Sequence, residues 1–284
     1  MSNLRITPNP NGVGVRIHDI DLSGPLTADT TLEILRLLHA YRLVVFEGQS
    51  LEDHHLCEFA HRFGPPFSSN SHQVLGGAEQ CSAVVVVGNQ ASEFSESYLG
   101  HQEVLPHSDH QWLRCPSAAS LLYAVDIKPG SSSTTWTDMA AAYALLDDDT
   151  KAKIESLQLI TYNPFYRPFG SVRSHYVNHD TETVLGEVFP HPLVRTHPTT
   201  GGKVLYLHAA YEMELVGVGY KEGSSLIESL HQHISAVTCK YEHIWQNGDL
   251  VMWDNQATIH YRPAFKEQVR RVLKRVTIGG GVPF

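Results

Sequence analysis

Apolar and polar positions alternate through VGVRIHDIDL near the start of the chain, a period that predicts a strand. Thr27 or Asp29 then stands where a helix would be capped, and Leu32, Leu35 and Leu38 follow at helical spacing. YRLVVF, closed by Glu47-Gly48, reads as a buried strand. Ser50 with Asp53 three residues on predicts a second capped helix, with Leu56, Phe59, Ala60 and Phe63 on one face. Phe63-Gly64-Pro65-Pro66 stops it.

From 66 to 104 only SAVVVVGN, residues 82–89, reads as a strand. The flanking segments 66–80 and 90–104 are rich in Ser, Gly, Asn and Gln, and loops of that length in a compact domain are candidate active-site elements. The C-terminal half is strand-like. HPLVRTHPTTGGKVLYLHAAY is two apolar runs around Thr199-Thr200-Gly201-Gly202, and KYEHIWQNGDLVMWDNQ is two more around Asn247-Gly248, the signal of a hairpin. SSLIESLHQHIS between them predicts one helix. This order gives a mainly β fold with flanking helices, a barrel or jelly roll rather than a parallel βαβ sheet. Without repeat, low-complexity tract or linker, residues 1–284 read as one domain.

Composition narrows the partners. A formal charge of −9 with no basic run argues against nucleic acid, although a few local arginines can still attract an anionic substrate. No secretory signal is visible at the N-terminus and no run approaches the ~20 apolar residues of a bilayer span. Cys57, Cys81, Cys115 and Cys239 are scattered without C-x-x-C spacing, which predicts reduced thiols in a cytoplasmic protein.

The chemistry centres on LPHSDHQW, residues 105–112. With 18 His and 30 Asp+Glu in 284 residues, His-x-acid is expected about twice by chance. It occurs twice, as His101-Gln102-Glu103 and His107-Ser108-Asp109, so its context must decide. In a strand His107 and Asp109 would share a face and His110 would point the other way. Two His and a carboxylate form the facial triad suited to non-haem Fe(II), and His260, in DNQATIH, is the candidate for the third ligand. In VRRVLKRVTI, Arg271 and Arg275 fall on one face, with Arg270 on the other. Buried arginines require anions, and a dicarboxylate matches the guanidinium fork. Trp112, Trp136 and Trp253 read as core packing.

The chain resembles the taurine dioxygenase and 2,4-dichlorophenoxyacetate dioxygenase (TauD/TfdA) family of Fe(II)- and 2-oxoglutarate-dependent enzymes over nearly its whole length. The matching pieces are VGVRIHDIDLSGPL, YRLVVFEGQSL, PHSDHQW, STTWTDMAAAYALL, HPLVRTHPTTGGKVLY, WQNGDLVMWDNQATIHYR and RRVLKRVTI, in that order. The resemblance implies a double-stranded β-helix (jelly-roll) core, with His107, Asp109 and His260 as iron ligands. It implies that Thr134 and Arg271 bind the distal carboxylate of 2-oxoglutarate. Arg275 would lie near the acid group of the substrate or the C1 side of 2-oxoglutarate, with a structural salt bridge as the alternative. Two departures stand out: Pro106 replaces the usual Trp before the first ligand, and Ser131-Ser132-Ser133 replace Gly-Gly-Asp before the threonine.

The implied activity is oxidation, by hydroxylation, of an unactivated C–H bond of a small anionic organic substrate, with O2 as co-substrate and release of succinate and CO2. Desaturation, cyclisation and C–heteroatom cleavage are alternative outcomes of the same chemistry. Asp109 favours hydroxylation over halogenation, because halogenases of this chemistry leave the carboxylate position empty. A metal-dependent hydrolase or a noncatalytic jelly-roll binding protein are the alternatives of another class. The expected partner is a small molecule, with neither nucleic acid nor membrane, and the resemblance allows a homo-oligomer, a dimer or tetramer.

Overall fold

The computed structural model describes residues 4–67, 84–89, 98–166, 175–181 and 186–284. Of the two candidate loops, 68–80 and 90–97 lie outside the described residues. The described part is mainly β, as expected, and is organised by two sheets. The larger has eight strands in the order Arg5–Pro8, Val15–His18, Leu43–Phe46, Leu250–Asp254, Ala119–Ile127, Arg271–Ile278, Val84–Gly88, Tyr98–Leu99. The smaller has four, in the order Lys240–His243, Thr134–Asp138, Thr258–Arg262, Val104–His107.

The central strands of the larger sheet are buried on both faces, so their sequences read as continuous apolar runs. Val44, Phe46, Leu121, Met252 and Val276 face an outer layer made by helices Ala28–Tyr41 and Asp53–His61, packing on Ile34, Leu38, Leu56 and Phe59. Their neighbours Val45, Leu122, Val251, Trp253 and Leu273 face inward and meet Trp136 and Tyr241 of the smaller sheet. The outer side of the smaller sheet, through Ile259, joins a third cluster with Met139, Leu205 and Leu230 of helix Tyr220–Ala236. Alternation therefore sends every second residue of these strands into the space between the sheets, and the chemistry is gathered there.

Several local expectations need correction. The first helix is capped by Thr27, whose hydroxyl accepts from Thr30 N, but it buries Ile34, Leu37 and Leu38 while Leu32 is 58% exposed. The second helix is capped by Glu52 rather than Ser50, in a reciprocal pair with His55. The strands flanking Asn247-Gly248 do not form a hairpin: Lys240–His243 pairs with Thr134–Asp138, whereas Leu250–Asp254 pairs in the other sheet. Gly248, at φ +88°, turns the chain across the core; a Cβ there would meet Gln49 O at 2.8 Å. The run ending in DNQATIH likewise crosses between sheets, at Asn255–Ala257, which places His260 mid-strand in the smaller sheet. Val194–Thr196 and Lys203–Leu205 do pair antiparallel around the predicted turn.

Both departures from the family pattern fit the backbone. Val104 is opposite Arg262 and His107 opposite His260, so Leu105 and Pro106 face the single residue Tyr261. Pro106 thus occupies a bulge on an edge strand, where a missing N–H costs no ladder bond. Ser132 sits at φ +77°, a conformation that suits the replaced glycine, and its hydroxyl donates to Pro263 O at 2.8 Å.

Candidate active site

His107 and His260 are direct cross-strand partners, with ring centroids 4.1 Å apart. Asp109 is not on a strand with His107, as alternation implied; the strand ends at His107 and Asp109 lies in the following turn. The turn is fixed by Asn255, whose Oδ1 accepts from Asp109 N at 2.9 Å and whose Nδ2 donates to Asp109 O and Ser117 O at 3.0 and 3.1 Å. Ser108 Oγ donates to Asn255 O at 2.8 Å. The result brings Asp109 Oδ1 to 3.6 Å from His107 Nε2 and 4.0 Å from His260 Nε2. These separations exceed hydrogen-bond reach, and the three donors converge on one point between the sheets.

The protonation states suit a cation. His107 Nδ1 lies 2.9 Å from Leu105 O, to which it donates, leaving the Nε2 lone pair toward Asp109. Burial, then the neighbouring His107 ring, pushes the His260 imidazole down to about 3, so it is neutral at neutral pH. Burial is the largest single effect and acts to raise the Asp109 carboxyl, but Arg275, His107, His260 and His110 together outweigh it. The carboxyl is held well below the usual range. Its second oxygen accepts from Ser120 Oγ at 2.8 Å. A neutral imidazole at His260, the His107 ring oriented by Leu105 O, and a carboxylate fit a divalent iron ion.

His110, expected on the opposite side, is in fact buried: at φ +61° its ring turns to stack on Phe67 at 4.1 Å. Trp112 lies 5.0 Å from Tyr211 and 5.8 Å from Phe165, and Tyr211 lies 6.0 Å from His107. Rings therefore flank the His107 side of the triad.

Arg271 and Arg275 share the inner face of their strand, as predicted, while Arg270 turns outward to Asp126 at 2.5 Å. Arg275 Nη1 stands 3.3 Å from Asp109 Oδ1. Arg271 is 1% exposed and its Nη2 is 3.5 Å from Thr134 Oγ1. Its Nε and Nη1 are buried without a hydrogen-bond partner. Burial, then the charge of Arg262, pushes this guanidinium down to about 9. A buried arginine with two unanswered N–H groups fits an incoming carboxylate. His101 and Glu103 take no part: Gln102 bonds the His101 ring and Tyr261 donates to Glu103.

Among the described residues a second group, His39, His197 and Asp254, has metal-like spacing. Hydrogen bonds already close it. His197 Nδ1 accepts from Thr199 N and Thr200 N, so its proton is on Nε2 and is donated to Asp254 Oδ2 at 2.8 Å. No lone pair of that ring is left for an ion.

Buried neutral histidines also set an acid limit. His208 is held well below its ordinary value by burial and then by His231, His107 and His175, and His260 is at about 3. In the unfolded chain each takes a proton near 6.5, so acidification favours unfolding from about pH 6.5 down to the folded values. Asp109 adds a loss in the same direction below about pH 4, because its folded value is depressed. Denaturant unfolding of the metal-free protein is expected to lose up to about 1.4 kcal/mol per pH unit for each such histidine between pH 6.5 and 4. His208→Gln is expected to flatten that slope.

The sequence signature of the Taurine catabolism dioxygenase TauD, TfdA family matches residues 5–277. The chain belongs to this family. It is 30% identical to the alpha-ketoglutarate-dependent 2,4-dichlorophenoxyacetate dioxygenase of Cupriavidus pinatubonensis (strain JMP 134 / LMG 1197), over 92% of each chain. A taurine dioxygenase from Burkholderia xenovorans superposes with a TM-score of 0.80 at 27% identity, over 99% of this chain and 93% of that one. AAD-2, crystallised with Mn(II) and N-oxalylglycine, does so with a TM-score of 0.78 at 27% identity, over 99% of each chain. The protein is a 2-oxoglutarate-dependent dioxygenase with a jelly-roll core that uses Fe(II), 2-oxoglutarate and O2. No helix among the described residues is long and apolar enough to cross a membrane.

Sequence reasoning did not find Ser120 and Asn255. Ser120 shares the inward parity of Leu122 in a strand that reads simply as apolar, and Asn255 is inside the quoted DNQATIH without a role that spacing reveals.

Proposed function

We propose that His107, Asp109 and His260 hold Fe(II), and that Thr134 and Arg271 hold the distal carboxylate of 2-oxoglutarate. Arg275 faces an acid group, on a small anionic organic substrate or on C1 of 2-oxoglutarate. The observation that carries this reading is Arg271, a buried cation with two unanswered N–H groups on the same inner face as Arg275. A zinc hydrolase built on the triad has no use for it.

Bound at the triad, Fe(II) would let 2-oxoglutarate and O2 meet, so that oxidative decarboxylation to succinate and CO2 supplies the oxidant for a C–H bond. The chain orients and encloses. Leu105 O fixes the tautomer of His107, while Asn255 and Ser120 fix the turn and carboxylate of Asp109. Arg275, together with the neighbouring histidines, keeps that carboxylate ionised. Deep burial of Thr134 and Arg271 keeps water from the carboxylate they would bind. We read 1–284 as one domain of a cytoplasmic enzyme; the scattered cysteines, without C-x-x-C spacing, support the reducing compartment.

The likeness to a 2,4-dichlorophenoxyacetate dioxygenase and the rings beside His107 support aromatic acids as first substrates to try, with sulfonates next. The test is a panel of such acids scored by succinate formed above the uncoupled background. Product mass distinguishes gain of an oxygen from loss of two hydrogens. Arg275→Leu is expected to raise the KM of the acid substrate about 10- to 100-fold, with little change for 2-oxoglutarate. Equal weakening of 2-oxoglutarate would place Arg275 at C1 instead, and no change in either would leave it a structural partner of Asp109.

A further inference from the structure

We propose that Trp245 is a positioning residue for 2-oxoglutarate: its indole N–H sets the hydroxyl of Thr134 as a hydrogen-bond donor to the distal carboxylate. This inference rests on the placement of that carboxylate at Thr134 and Arg271.

The argument is one of hydrogen-bond inventory. A threonine hydroxyl offers one proton and two lone pairs, and an indole N–H can only donate. Trp245 Nε1 donates to Thr134 Oγ1 at 2.9 Å, and Arg271 Nη2 approaches the same oxygen at 3.5 Å. Both lone pairs are thereby addressed by groups that cannot receive a proton. The hydroxyl hydrogen is left to point at whatever acceptor enters beside Arg271, whose Nε and Nη1 are buried and unpartnered. The threonine hydroxyl and Arg271 Nη1 can then donate together to one incoming anion. A lone threonine could equally present a lone pair, which would repel a carboxylate.

Trp245 stands apart from the other tryptophans. The N–H groups of Trp112, Trp136 and Trp253 are buried without a partner, and apolar packing accounts for those rings. Trp245 is 4% exposed and its ring is held edge-on by His243 at 4.7 Å. His243 is anchored by Asp249 at 2.9 Å, and the same carboxylate oxygen accepts from Gln246 N, the residue after Trp245. The crossing segment between the sheets is thus pinned on both sides of the indole. Outside it opens a cleft of about 610 Å³, lined by Ser131, Ser133, Glu242, Ile244 and Gln246. Trp245 also lines this cleft, while its N–H reaches Thr134.

The test is anaerobic titration of the Fe(II)-loaded enzyme, read by visible absorption. It compares 2-oxoglutarate with 2-oxobutanoate, a keto acid without the distal carboxylate. Trp245→Phe keeps the ring and removes the N–H. It is expected to weaken 2-oxoglutarate about 5- to 20-fold and to leave 2-oxobutanoate unchanged. In a Thr134→Val background the same substitution is expected to have no further effect on 2-oxoglutarate, since the group it acts through is gone. Equal weakening of both keto acids, or an undiminished loss in the Thr134→Val background, would overturn the proposal. So would unchanged 2-oxoglutarate affinity in Trp245→Phe. If Thr134→Val and Arg271→Leu themselves leave 2-oxoglutarate affinity intact, the carboxylate site is misplaced and the underlying reading fails first. Unfolding of the metal-free variants in denaturant checks that Trp245→Phe remains folded.

Discussion

Arg271→Leu is expected to make the metal-free protein more stable and nearly unable to bind 2-oxoglutarate. The two effects have one cause. Arg271 is 1% exposed, with two N–H groups unanswered, so the folded state carries a buried cation that is met among the described residues by the Thr134 hydroxyl and the Phe265 ring and by no carboxylate. Replacing buried ionic groups with apolar side chains is neutral or stabilising by up to about 1–4 kcal/mol, and the cavity left by the shorter Leu puts this case at the lower end. Removing the guanidinium from a bound carboxylate costs about 2–5 kcal/mol, which is roughly 30- to several thousand-fold in affinity. Denaturant unfolding reads the first effect and anaerobic titration the second. Loss of stability with unchanged affinity would make Arg271 a purely structural residue.

Asp109→Ala is expected to reduce succinate formation at least about 100-fold, beyond the 10- to 100-fold typical of groups that merely support a ligand. It is also expected to destabilise the metal-free protein by about 3–5 kcal/mol, because Arg275 and Ser120 both lose the carboxylate that they contact. Asp109→Asn retains the shape and the bond to Ser120. It is expected to recover much of the stability without the turnover, which separates the ligand role from the structural one. Turnover of Asp109→Ala near wild type would remove Asp109 from the reaction.

The placement of the candidate-site residues was legible where side-chain parity is strict. Arg271, Leu273 and Arg275 alternate in one strand, and the structure keeps that parity because the bulge opposite falls on the partner strand near Val125. Thr134 and Trp136 share the inner face of theirs. Parity failed where the chain leaves a strand. His107 and Asp109 converge because a turn held by Asn255 brings the carboxylate round, and the strand period has no bearing on it. The same turn puts His110 at positive φ and buries a ring that alternation sends to the opposite face.

Long-range pairing was the other thing the sequence left open. Asn247-Gly248 carries a strong turn signal and is a turn, as is Asn255–Ala257, but both join strands of different sheets rather than hairpin partners. A local pattern shows that the chain bends, whereas which sheet receives it is decided by burial far away. Leu32 illustrates the limit on a helix. Its spacing fits the apolar stripe, yet packing on the larger sheet selects the stripe through Ile34, Leu37 and Leu38.

The most direct test of the account is anaerobic addition of Fe(II) and then 2-oxoglutarate to the wild-type chain and to His260→Ala, followed by visible absorption. The expected result is a metal-to-ligand charge-transfer band in the wild type that requires both additions and is lost in a folded His260→Ala. A folded wild-type chain that gives no band, or a His260→Ala chain that gives the full band, would contradict it.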